Sequence, residues 1–188
     1  LKSQAADGFF DGRLACQGDA FLAHDVLGVT FVNIDDNALC NGLLTAAAIG
    51  YLLMRNSSVS GAEAGCQAEV GAASAMAAAA IVEIMGGTPK MCLDAASFAI
   101  SNLLGLVCDP IAGLVESPCQ SRNAMGVANA ITSAELVLSG ISHHIPFDEM
   151  AEAMLRVGRS LPFELRETAM GGCAGTPTGC SFGCNICK

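Results

Sequence analysis

The run VGAASAMAAAAIV, residues 70–82, limits what this chain can become more than any other stretch. It consists mostly of Ala and Gly. Such a sequence favours helix, yet it offers little side-chain bulk to a core. A helix of this kind is stable when other helices lie close against it. Glu83 ends the run, which falls short of the ~20 apolar residues that a membrane span needs. The reading is a buried helix from about Gln67 to Met85, stopped by Gly86-Gly87.

The neighbouring segments read the same way. ALCNGLLTAAAIGYLLM, from Ala38, is apolar on nearly every face and predicts a second buried helix. RNSSVSGAEAG breaks it with loop composition. Thr88-Pro89 supplies an N-cap and a first-turn proline for a helix running towards Gly105. CDPIAGLVESPC reads as a loop. SRNAMGVANAITSAELVLSG predicts a helix closed by Gly140. FDEMAEAMLRVGRS predicts an amphipathic helix with its acids early and its arginines late. A short helix is expected over 163–169, followed by an irregular tail. Residues 1–34 and 179–188 fit this pattern poorly. The expectation is an all-α fold, one domain over 1–188, of tightly packed small-residue helices.

Composition narrows the function. The chain has 188 residues, 52% hydrophobic and only 14% charged, with a net charge of −9. It is too apolar for disorder. Without a basic stripe it has no nucleic-acid footprint. No apolar leader stands at the start, LKSQAADGFFDGR. A reduced, cytoplasmic chain with no membrane association is the expectation, and its ten cysteines then suggest metal or redox use rather than disulfides.

Three cysteines stand out by position. Cys66 falls at a helix start, Cys108 follows a helix end, and Cys119 precedes a helix start. A helix N-terminus favours a thiolate, so these three can serve one metal centre, although their spacing matches no local ligand rule. Cys40 and Cys92, inside apolar helices, read as small core residues. Cys16 receives no role.

SGAEAGCQAEVGAASAMAAAA, NLLGLVCDPIAGLVESPCQSRNAMG and LRETAMGG, in that order, resemble the α chain, or catalytic domain, of the iron–sulfur-dependent L-serine dehydratases. The resemblance covers about residues 35–178 and matches the C-terminal part of that domain. It implies a mostly helical fold and a [4Fe-4S] cluster held by Cys66, Cys108 and Cys119. Such a cluster usually takes four protein ligands, so three leave an iron open to act as a Lewis acid. The implied reaction is β-elimination of water from L-serine, giving pyruvate and ammonia. Pyridoxal phosphate is not needed, and Lys2, Lys90 and Lys188 are the only lysines.

Arg122 and Asn123, just after Cys119, are candidates for binding the substrate. Arg122 can clamp a carboxylate or pair structurally with Glu116. Asn56, Ser57 and Ser60 precede Cys66 and either bind substrate or cap helices. Glu63 can hold the ammonium or act as base, with Ser60 beside it. Glu69 reads as a capping residue. His143 and His144 fit a solvated connection better than a base, and the base stays unassigned.

Two features depart from the family. A Gly-rich loop expected before Ala38 is replaced by LACQGDAFLAHDVLG, and the expectation is that neither the N-terminal part of the catalytic domain nor a regulatory domain or β chain lies within these residues. The remaining parts then come from a partner chain or a second copy, or the chain is an inactive subunit retaining a cluster site. A related lyase acting on cysteine is a further alternative. In the tail, Cys180, Cys184 and Cys187 have the C-x3-C-x2-C spacing of radical-SAM enzymes, but only one residue follows them. A tail cysteine, Cys173 and Cys180 included, can instead serve as a removable fourth ligand.

Overall fold

The computed structural model describes residues 34–182. Among them are seven α-helices: α1 (Asp36–Asn56), α2 (Gly61–Ala64), α3 (Cys66–Ile84), α4 (Pro89–Asn102), α5 (Cys119–Leu138), α6 (Phe147–Ser160) and α7 (Pro177–Ser181). Two 3-10 turns, Ile111–Gly113 and Phe163–Leu165, lie in the connections. The described residues contain no strand, only one parallel bridge between Cys108 and Arg166. The all-α expectation holds.

The Ala-rich segment is the axis of the fold. Helix α3 packs against α1, α4, α5 and α6. Ala72, Ala75, Ala78, Ala79 and Val82 on α3 lie in the main core with Ile100, Met150 and Met154. Small residues set the close spacing. A Cβ built on Gly126 of α5 would stand 2.7 Å from Val70 Cγ1 on α3. At this contact Ser74 Oγ donates to the Gly126 carbonyl at 2.8 Å. Asn129 Nδ2 then donates to Ser74 Oγ at 2.9 Å and to the Ala99 carbonyl at 3.0 Å, tying α3, α4 and α5 together. Ser74 and Asn129 are thus paired at this crossing, whereas Ser133 Oγ, one turn further along α5, is buried without a partner.

The helix ends follow the sequence signals. Thr88 Oγ1 accepts the Met91 N–H at 3.3 Å. Gly140, at φ 91°, closes α5 in a conformation that favours glycine. Asp148 and Glu149 begin α6 and Arg159 ends it.

Four expectations are corrected. Helix α1 is not a buried helix: only Gly42, Ile49 and Leu53 are buried, on the stripe that meets α3. Cys40 is therefore exposed rather than a core residue. The segment after Phe163 is a single 3-10 turn. The helix does not continue past Arg166, and Glu167 and Ala169 follow at positive φ. The tail is not wholly irregular, because Thr176 Oγ1 caps α7 through the Gly179 N–H at 3.0 Å. Cys16, Cys184 and Cys187 lie outside the described residues. By length and composition, α1 and α3 are both apolar enough to cross a membrane, but α3 is the buried core helix.

Candidate functional site

Gly65 places Cys66. At φ 77°, ψ 177° it ends α2 and starts α3 in one residue. A side chain there would be strained by the backbone and would also meet the Leu106 carbonyl at 2.8 Å. Gln67, 1% exposed, holds the segment carrying the next cysteine. Its Nε2 donates to the carbonyls of Ala64 (2.9 Å) and Met154 (3.1 Å), and its Oε1 accepts the Gly105 N–H at 2.9 Å. The Gln67 N–H donates to the Leu106 carbonyl at 2.9 Å. One side chain thus joins α2, α6 and the segment after α4.

That segment delivers Cys108, whose backbone is pinned on both sides. Its N–H donates to Leu165 at 2.9 Å, and its carbonyl accepts the Glu167 N–H at 2.7 Å. Cys66 and Cys108 pack together. Both are buried, in a small apolar cluster with Val70, Leu103 and Leu106, apart from the main core. Cys119 is the first residue of α5 and half-buried.

Asp109 organises the third side of the site. Its carboxylate, 2% exposed, accepts from Arg122 Nη1 at 2.5 Å and from the Cys173 N–H at 2.6 Å. Arg122 also donates to the Val107 carbonyl at 2.8 Å. The Cys108 loop, the first turn of α5 and the 170s loop are thereby fixed to one another. A Cβ on Gly172 would stand 2.7 Å from Asp109 Cγ, so this approach requires glycine.

The electrostatics are uneven. The interaction between the two thiols, the largest influence on each, holds Cys66 below its usual pKa and pushes Cys108 far above it. Cys119 is pushed up by burial and then by the charge on Cys66. Glu69 is pushed up by burial and by the charge of Glu167, with the Gly61 backbone pulling the other way. Its carboxylate and the Cys108 thiol lie together on Gly61: a Cβ there would stand 2.7 Å from Glu69 Oε2 and 3.0 Å from Cys108 Sγ.

The other residues named from sequence separate into two groups. Arg122 is at the site, but its partner is Asp109 and not Glu116. Glu63 has both oxygens engaged, with Ser58 Oγ at 2.7 Å and Arg159 Nη2 at 3.2 Å. Ser57 Oγ donates to the Ala151 carbonyl at 2.8 Å, a structural tie to α6. Ser60 stands at the N-cap of α2 without a side-chain cap bond. Asn56 and Asn123 are exposed. His143 packs edge-on against Phe98 and bonds within its own loop. Glu69 does not cap its own helix; it reaches back to α2. Sequence reasoning passed over Gln67 and Asp109, although both adjoin the cysteines they position.

Among the described residues, no three Cys, His, Asp or Glu side chains surround one point as ligands of a single ion. What the site offers is soft thiol donors, two of them buried and in contact, in an apolar setting with a third at a helix start. Such donors suit iron–sulfur chemistry better than hard cations.

A family model described as serine dehydratase alpha chain matches residues 21–174. The chain belongs to the serine dehydratase alpha chain family. It is 56% identical over 137 residues to a probable L-serine dehydratase alpha chain of Bacillus subtilis, covering 73% of this chain and 46% of that one. It is 55% identical over 147 residues to the L-serine dehydratase alpha chain of Peptoniphilus asaccharolyticus, covering 78% and 50%. An L-serine dehydratase of Mycobacterium tuberculosis is 46% identical over 140 residues, covering 74% and 30%. The chain therefore spans half or less of the length of these relatives. Cys66, Cys108, Cys119 and the residues that fix them all lie inside the family match.

Proposed function

We propose that this chain is the cluster-holding part of an L-serine dehydratase, which removes water from L-serine to yield pyruvate and ammonia. Cys66, Cys108 and Cys119 would hold a [4Fe-4S] cluster as thiolates. When bound, the cluster would supply a Lewis-acidic iron for the β-hydroxyl leaving group. Holding a cluster would require these cysteines as thiolates, so their thiol protons would be given up on loading. Val70, Leu103 and Leu106 keep water from the thiolates. Asp109 and Arg122 hold the loops that carry Cys108 and Cys119. Arg122 is already neutralised by Asp109, so it positions these loops rather than clamping a substrate carboxylate. Glu69, which lies with Cys108 against Gly61 and has a raised pKa, would be suited to hold a proton during turnover. Loss of the α-proton and hydroxyl leaves an enamine, which becomes an imine and hydrolyses to pyruvate and ammonia.

The burial of Cys66 and Cys108 in contact, within a chain of this family, carries the reading. The test is EPR of the anaerobically reconstituted, reduced protein with and without L-serine. A [4Fe-4S] signal shifted by serine supports it, and failure to form any cluster overturns it.

A second reading is favoured by the length difference and by the engagement of Glu63 and Arg122. In it the chain carries the cluster site, while the rest of the substrate pocket belongs to further polypeptide, a regulatory or β chain included. That reading expects the cluster signal with no response to serine.

A further inference from the structure

Helix α1 carries two opposed apolar stripes, and among the described residues only one is packed against a neighbour. Gly42, Ile49 and Leu53 are buried against α3. Cys40, Leu43, Leu44, Ala47, Tyr51 and Met54 recur at helical spacing about 150° round from them. Leu43, Leu44, Tyr51 and Met54 are 57%, 69%, 55% and 59% exposed. The only charges on α1 are Asp36 and Arg55, at its two ends. A contiguous apolar stripe four turns long exceeds the scattered apolar residues of an ordinary surface and marks an interaction face. Ala47 and Cys40 lie among the large residues, and small residues let a partner backbone come close.

We infer that this stripe seats the additional polypeptide that members of the family carry beyond the matched region. Two relatives are about twice as long as the stretch they share with this chain. The family match includes α1. The same helix in those proteins therefore lies in a chain with as much polypeptide again. A lipid occupant fits less well. The inner side of α1 is packed on α3 in a bundle whose α6 exposes Glu152, Arg156 and Arg159, so α1 cannot be surrounded by lipid.

The test compares one substitution in two proteins. Leu44→Glu is made in the full 188-residue chain, and glutamate is placed at the aligned position of the intact Bacillus subtilis α chain. In this chain the melting temperature should not change. In the intact relative it should fall by about 10 °C or more, since a charge is being placed under a packed surface. Failure of the relative's variant to fold, with this chain unaffected, is the same result at its extreme. Equal tolerance in both proteins overturns the inference. So does loss of folding in this chain, which would mean that its own residues cover the stripe. Two further results would also overturn it. One is a concentration-dependent dimer of this chain that Leu44→Glu abolishes in sedimentation. The other is co-sedimentation with phosphatidylcholine–phosphatidylglycerol vesicles that Leu44→Glu abolishes.

Discussion

Arg122 and Asp109 form an ion pair beneath the surface, Nη1 to Oδ1 at 2.5 Å, and the second Asp109 oxygen takes the backbone N–H of Cys173. Burial works against the Asp109 charge, but the Cys173 N–H and Arg122 outweigh it and hold the carboxyl below its usual pKa. The pair therefore joins two cysteine-bearing segments that are adjacent to each other only in the fold.

Removing one partner of such a pair leaves the other charged and buried. Asp109→Ala should destabilise the protein by about 3–5 kcal/mol, read by urea unfolding. Asp109→Asn keeps the acceptor and should lose less. A cycle with Arg122→Met should show coupling of about 1 kcal/mol or more. Additive losses would mean that the pair does not act as a unit.

The helices were legible in the sequence because their signals are local: the Thr88-Pro89 start, the Gly86-Gly87 and Gly140 stops, and the small-residue run of α3. Burial of α1 was not. An all-apolar helix reads as buried, whereas the described fold supplies a partner for one stripe only. The cysteine positions at helix ends pointed to Cys66 and Cys108, which meet. The partners of charged residues were not legible. Arg122 chooses Asp109 over Glu116 because the Cys108 loop folds back on α5, and Glu69 reaches Gly61 across a break at Gly65. Both are tertiary choices with no period or spacing in the chain.

Thiol reactivity should sort by burial rather than by neighbouring sequence. Cys40 is exposed and Cys92 is buried. Burial and then the charge of Glu83 push Cys92 up to about 11. At pH 8 its thiolate would be about one part in a thousand. Iodoacetamide under native conditions should label Cys40 first and Cys92 only after unfolding, as followed by peptide mass spectrometry. Early labelling of Cys92 would contradict this packing.

Glu63 gives a pH signature. Ser58 and then Arg159 hold its carboxyl below 4.5. The unfolded chain binds this proton more readily, so the contribution to stability is fully present above about pH 4.5 and lost as pH falls through the lowered folded value. The contribution should be small, because the group is half exposed. Carbon-13 NMR should find the Glu63 midpoint lowered, and Ser58→Ala should raise it more than Arg159→Ala. A midpoint indifferent to both substitutions would mean that neither contact forms in solution.

Two helical glycines should respond in opposite directions to alanine. On α6, a Cβ at Gly158 would stand 2.3 Å from Ala64 Cβ and 2.7 Å from the Ala64 carbonyl. Backbone cannot yield as a flexible side chain does, so Gly158→Ala should destabilise by about 1–3 kcal/mol. The displaced residue directly precedes Gly65 and Cys66, so the same variant should also bind less iron on reconstitution. On α3, a Cβ at Gly71 would come no closer than 3.9 Å to Leu103 Cβ. Gly71→Ala should stabilise by about 0.5–1 kcal/mol through the lower entropy of the unfolded chain. Thermal unfolding and iron content measured on both variants separate the two effects. Equal shifts in the two would show that the α2–α6 contact is looser than its geometry and that the cluster site does not depend on it.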